Sequence, residues 1–258
     1  MIKRKVRAGQ NAVHNQKINY KALRSKNQRA DGSVWYNEAI DEKGYFLNQH
    51  LLKDVQFGAY TSDYNGCGWV AAYNALLMLG QPMACTKVIS GLDEHLQWKG
   101  KLGLSMAALM GFFLKQGCQI NFGIGLKSIE KNAQTAQTNI LYYFHPKFKG
   151  AHFVAFIKKP FKDKDGNAKY QFYNSLNAPL YANGKTVARI IPAREEIYNA
   201  AGDPEPYEVV YDRVYAPGGR SDVRTFSQFM QAEQTAAGDT IPLMLAISIW
   251  KKTDAQTR

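Results

Sequence analysis

The chain is short of cysteine, of long apolar runs and, at its start, of acid. Three cysteines occur in 258 residues, Cys67, Cys85 and Cys118. They cannot all pair with one another, and none stands in the two-residue spacing of a zinc ligand pair. A disulfide scaffold and a cysteine zinc site are therefore not expected, nor is any cofactor. A core of this size needs no such staple, because a chain of this length buries roughly three-quarters of its unfolded surface on folding. No apolar run reaches the ~18 residues of a membrane span. Near the start, Val6, Ala8, Ala12 and Val13 are scattered among Arg, Gly, Gln and Asn. A secretory signal would need an apolar stretch of roughly 7–15 residues there. The expected location is cytoplasmic, or outside the cell by a route that leaves no such signal.

Acid is absent from residues 1–30, which hold nine Lys and Arg residues. Of the overall net charge of +12, the rest of the chain carries only +3, with 24 basic against 21 acidic residues. The basicity belongs to an arm rather than to the fold. Residues 1–32, rich in Asn and Gln and poor in large apolar side chains, are expected as a flexible arm. Residues 33–258 are expected as the folded domain, elaborated from about residue 185. Such an arm can touch nucleic acid or another acidic surface weakly, in a salt-sensitive and sequence-blind way. It lacks the interleaved aromatics of a single-strand binder, Tyr20 being its only one. A removable propeptide, a delivery tag or a solvated tail would read the same.

What the sequence does have is a buried-looking helix. From Trp69 to Leu79 the only clearly polar residue is Asn74, and a helix apolar on nearly all sides is one that is buried. The pattern predicts a helix over about Cys67–Leu79, with Asn65 as cap, Gly80 past the end and Pro82 as stop. Further helices are expected at Thr86–Leu96 and at Ser105–Gln116, the latter capped by Ser105 and ended by Gly117. Strands are expected at Ile120–Ile124 and Asn139–Phe144 around a short helix near Leu126–Ala136. Further strands follow at His152–Lys158 and Tyr170–Asn174, joined by the turn in Lys162–Asn167. Beyond residue 185, helices at Ala193–Ala200 and Thr225–Ala237 and strands at Tyr207–Tyr215 and Ile241–Lys251 are expected, the last within the sheet. Ser33–Leu52 reads as an irregular lead-in. A helical half followed by an antiparallel half is an α+β layout.

Three residues could do chemistry together. Cys67 opens the buried helix, where unpaired N–H groups and the helix dipole favour a thiolate. Gly66 and Gly68 flank it, leaving room for a sharp turn and for an approaching carbonyl. A free cysteine serves equally well as a small core residue. His152 opens a strand after Lys149-Gly-Ala151, so its ring can leave the sheet end while Val154 and Phe156 turn inward. A polar strand cap would look alike. His14, His50, His95 and His145 have no comparable setting. Folding the hairpin about its turn brings Asn174 or Asn177 near His152. An amide oxygen there can accept the ring N–H and fix its tautomer, although Asn174 also suits a plain turn.

Cys67 at a buried helix start, His152 opening a strand and Asn174 ending the next resemble the papain-like cysteine peptidases. The chain is more similar to the double-glycine leader peptidases. They share an Asn/Asp-Cys-Gly start followed by an Ala-rich helix, here Asn65-Gly-Cys-Gly68, then Gly103-Leu-Ser105 with Leu109 and Gly117, and a His-Phe-Val-Val-like strand, here His152-Phe-Val-Ala155. The resemblance covers roughly Gln56–Asn177. It implies a papain-like α+β fold, in which a central nucleophile helix packs on an antiparallel sheet half. It also departs from the pattern. Papain places Trp directly after its cysteine, whereas Gly68 intervenes here, and His152 follows Cys67 by 85 positions rather than papain's roughly 130–150. Family members usually have an oxyanion-hole Gln about six residues before the cysteine. Thr61 stands there, and Gln56 is the nearest Gln upstream.

The resemblance implies a cysteine peptidase cleaving peptide or isopeptide bonds in a protein or peptide substrate. Cys67 would be the nucleophile, His152 its base and acid, and Asn174 the orienter. Gln56, or Asn65, would join the Cys67 N–H in stabilising the oxyanion. A deamidase or transglutaminase acting on protein side chains would use the same residues. A non-catalytic, basic-armed nucleic-acid binder on this fold is the rival outside enzymology. The Gly218-Gly219 pair is better read as a turn than as a site of self-cleavage. Cys85 and Cys118 are expected as structural thiols.

Overall fold

The run Phe153-Val-Ala-Phe156 is apolar at every position, the mark of a strand covered on both faces. The computed structural model, which describes residues 24–28, 34–38, 43–47, 49, 52, 55–96, 103–145, 150–175, 180–182, 185–187, 223–237 and 240–252, buries all four. The fold is α+β, a mixture of helices and antiparallel sheet.

In chain order, β1 (Arg24–Gln28) pairs antiparallel with β2 (Val34–Glu38). The small hairpin of β3 (Gln56–Phe57) and β4 (Tyr60–Thr61) leads through the single turn α1 (Ser62–Asn65) into α2 (Cys67–Met78). Helices α3 (Cys85–Asp93) and α4 (Met106–Lys115) complete the helical half. Then come β5 (Cys118–Ile124), α5 (Gly125–Ala133), β6 (Thr138–His145), β7 (Gly150–Lys162) and β8 (Ala168–Tyr173). A short ladder of β9 (Leu180–Ala182) and β10 (Lys185–Val187) follows. The last elements are β11 (Val223–Arg224), α6 (Phe226–Ala237) and β12 (Leu243–Lys251). Six strands form one antiparallel sheet in the order β11-β8-β7-β6-β12-β5.

Each face of the sheet has its own core. Phe153, Ala155, Ile140, Ile247 and Ile249 pack with Trp69, Val70 and Ala72 of α2 and with residues of α3 and α4. On the other face Leu141, Tyr143, Val154, Phe156 and Phe172 pack with Ile129 and Ala133 of α5 and with Phe226, Phe229 and Met230 of α6. Phe172 and Phe229 stack at 3.8 Å between centroids. The alternation along β7 thus divides one apolar run between two cores.

Local signals explain the element ends. Ser105 Oγ accepts from Ala108 N at 3.1 Å, capping α4, and Gly117 at φ 74° ends it. Thr225 Oγ1 accepts from Gln228 N while Gln228 Oε1 accepts from Thr225 N, a reciprocal capping box at the start of α6. In the β7–β8 turn, Asp163 Oδ1 accepts from both Asp165 N and Asn167 N. Pro160, which has no N–H to give, lies where the β7–β8 register shifts.

Several expectations need correction. Part of the basic arm, Arg24–Gln28, is a strand, and the lead-in thought irregular contributes its partner, Val34–Glu38. Main-chain pairing needs no apolar side chains, so composition could not reveal it. The second helix stops at Asp93, and Leu96 instead bridges to Leu104. Asn65 does not cap α2. Gly66 is the N-cap, with no side-chain cap bond, and Asn65 Nδ2 donates to Phe57 O at 3.1 Å. The expected helix at 193–200, the strand at 207–215, the Gly218-Gly219 turn and Asn177 lie outside the described residues, as does the arm's boundary at 32–33.

Candidate active site

Cys67 is the first residue of α2 and half-buried, packed against the core on the α2 side of the sheet. The glycines beside it are needed for packing. A Cβ on Gly66 would run into Ser62 O, and one on Gly68 would meet Leu104 at 3.0 Å. Gly66 has φ −75° and ψ −9°, conformations open to any residue, so closeness rather than a left-handed turn selects glycine. Trp69 Nε1 donates to Ser62 Oγ at 2.9 Å and anchors α1 to α2. The hydroxyl of Tyr142 is held above its ordinary range, first by burial and second by the charge of Cys67. Tyr142 is paired across the sheet with Phe153, next to His152. Cys67 and Tyr142 both pack against the core on the α2 side of the sheet, and the ladder partner of Tyr142 is the residue next to His152.

Burial pushes Cys85 up to about 11 and also raises Cys118. Tyr73, hydrogen-bonded to Cys85, is pushed up to about 12, first by burial and then by the neighbouring thiol.

His152 does not project from the sheet end. Its ladder partner is Tyr143, whose ring it meets edge to face at 5.7 Å, and only 3% of the residue is exposed. Strand alternation groups it with Val154 and Phe156, because the pairing with β6 stays regular through Gly150. Tyr143 OH in turn donates to Glu233 Oε2 of α6 at 2.5 Å, and Glu233 is fully buried.

Asn174 stands beside His152, but by its main chain. His152 Nε2 lies 2.6 Å from the carbonyl oxygen of Asn174. A carbonyl only accepts, so Nε2 carries the proton, and Nδ1 is the basic nitrogen of the neutral ring. The Asn174 amide is occupied elsewhere. Its Oδ1 accepts from Gln49 N at 3.1 Å, and its Nδ2 donates to Gln49 Oε1 at 2.8 Å. Asn174 thus meets His152 through a main-chain oxygen, where the sequence reading anticipated the side-chain oxygen.

Gln56 lies in β3, paired with Thr61 of β4. The Gln upstream of the cysteine thus neighbours in space the position that Thr61 fills in sequence. The residue missed from the sequence is Gln49. It is 2% exposed, and besides both atoms of the Asn174 amide it holds Asp63 O through Nε2 at 3.3 Å. Asp63 lies one helical turn before Cys67, so Gln49 joins the cysteine loop to the partner of His152. It stands 125 residues from Asn174, and a lone Gln in an unpatterned segment gave no signal.

Among the described residues no group of three or more His, Cys, Asp and Glu side chains is placed to hold a metal ion, and no helix is long and apolar enough to cross a membrane. No protein-family model, curated protein or solved structure matches the chain.

Proposed function

We propose that the chain is a thiol hydrolase of papain-like architecture, a cysteine peptidase acting on a protein or peptide substrate. What supports this reading is that Cys67 packs on the same core as Tyr142 and Phe153, and Phe153 is the neighbour of His152. Cys67 sits at the start of a buried helix, and His152 has Nε2 committed to a carbonyl, so that Nδ1 serves as the base. In the proposed reaction Nδ1 takes the thiol proton and the Cys67 sulfur attacks the acyl carbon. The tetrahedral oxyanion is stabilised by the Cys67 N–H and by Gln56, each such donor contributing about 3–4 kcal/mol. Imidazolium protonates the leaving amine, and water attacks the thioester to release the acid and restore the thiol. Alternation groups His152 with Val154 and Phe156, so the proposed chemistry requires thiol and ring to meet around the start of β7 rather than across one sheet face.

The test is site-resolved iodoacetamide labelling of the native protein from about pH 4 to 9, beside His152→Ala. A thiolate held by imidazolium labels well below neutrality, and Cys67 alone is expected to do so, with the reactivity lost in the variant. Labelling of Cys67 only as pH nears ~8.5, as for an ordinary thiol, removes the reading. The class of acceptor is then read from products on a reactive substrate. Chain cleavage marks a peptidase, and a hydrolysed side-chain amide in an intact chain marks a deamidase.

A further inference from the structure

We infer that Gln49 is a positioning residue, resting on the reading of Cys67 and His152 just proposed: it clamps Asn174 in the backbone conformation that aims its carbonyl at His152. Asn174 has φ 61° and is the only non-glycine among the described residues on the left-handed side. Asn tolerates this region better than most side chains, yet it remains a strained choice that surrounding structure must hold. The two bonds from Gln49, main chain to Oδ1 and Oε1 to Nδ2, fix the amide from both ends. They thereby fix the peptide carbonyl that meets Nε2 at 2.6 Å.

The clamp is itself anchored. Asn74, the single polar residue on the apolar run of α2, bonds Phe46 twice, accepting from its N–H and donating to its carbonyl, both at 2.8 Å. Phe46 packs edge to face on Trp69 and Tyr73, each 5.0 Å between centroids. Beside it, Tyr45 packs on Tyr173, the residue before Asn174, at 4.5 Å. The segment carrying Gln49 is thus seated on the nucleophile helix and on the end of β8 together. The third bond, Gln49 Nε2 to Asp63 O, ties in the turn that precedes Cys67. In this arrangement the Asn174 side chain serves the clamp, and its main chain serves the histidine.

The experiment uses the full chain with ¹⁵N-labelled histidine, as wild type, Gln49→Ala, Asn174→Ala and Asn174→Gly. The first readout is the His152 ring. A protected Nε2–H signal of the Nε2-protonated tautomer is expected in wild type and should be lost in Gln49→Ala and Asn174→Ala. Glycine adopts φ 61° without a side chain, so Asn174→Gly is expected to recover most of that signal. The second readout is Cys67 labelling at about pH 6, expected to slow about tenfold in Gln49→Ala and no further when Asn174→Ala is added to Gln49→Ala, one pH unit corresponding to a factor of ten. An unchanged His152 signal in Gln49→Ala overturns the clamp. So does Asn174→Gly behaving no better than Asn174→Ala, the pattern expected if the side-chain oxygen itself orients the ring. Should Gln49→Ala fail to fold, the contrast between the two Asn174 variants decides alone. Wild-type Cys67 labelling only near ~8.5 defeats the hydrolase reading, whereas the His152 signals still decide the clamp.

Discussion

At the scale of single residues, the helix start at Cys67 was legible and the reasons for its neighbours were not. Glycine on both sides suggested room for a substrate, but the Cβ contacts of Gly66 and Gly68 fall on Ser62 and Leu104 of the same chain. Crowding at the α1–α2 junction, or by a side chain as far along the chain as Leu104, has no sequence period, so only the folded chain shows it. Gly66→Ala should destabilise by about 1–3 kcal/mol, since a Cβ running into the main-chain oxygen of Ser62 forces the α1–α2 junction to shift. A urea midpoint as high as wild type would mean that the junction is looser than its contacts indicate. The Tyr73–Cys85 pair gives a pH dependence. Burial raises both groups in the folded state, so the fold favours their neutral forms. Their contribution is complete below the ordinary thiol value of ~8.5 and is lost as pH climbs through about 11 for Cys85 and about 12 for Tyr73. Urea midpoints should therefore fall above roughly pH 9, and less steeply in Cys85→Ala, which removes one of the two groups. Equal slopes would assign the alkaline loss elsewhere.

Elements were legible wherever their own residues dictate their ends. The cap at Ser105, the Asp163 turn and the helix starting after Thr225 rest on neighbours within four positions, and the structure has each of them. The capping box of α6 matters beyond its own helix, because Phe226, Phe229 and Met230 close the second core and Glu233 bonds Tyr143 beside His152. Thr225→Ala removes the acceptor for Gln228 N and should cost about 1 kcal/mol. Thermal unfolding measures this directly, and Thr225→Ser should restore most of the loss. The path of β7 was less legible. An unbroken apolar run conceals which core each face meets, and so the burial of His152 against Tyr143 was not legible. That pairing is a matter of register with β6, a relation between two strands that neither sequence segment contains.

For the whole molecule, the question is whether the C-terminal third is an addition to the fold or a part of it. Its apolar content indicated that the last strand joins the sheet, but strand order is a long-range property that composition cannot rank. The structure inserts β12 between β6 and β5, so its main chain is bonded on both sides. Ile247 and Ile249 enter the α2-side core, while Ala246 enters the other. Ser248 Oγ donates to Asn139 at 2.6 Å, a buried bond 109 residues apart in sequence that pins the β12–β6 register. A strand paired on both edges and shared by two cores cannot open without separating them. Its amides should therefore exchange with solvent only through global unfolding, at the same free energy as those of β6 and β7. Strand β5 is paired on one side only among the described residues, so it should show smaller protection. Native-state hydrogen exchange at increasing urea tests this. The protection of β12, β6 and β7 should converge on one unfolding isotherm. A separate, lower isotherm for β12 would make the C-terminal third a unit that detaches while the sheet holding His152 stays folded.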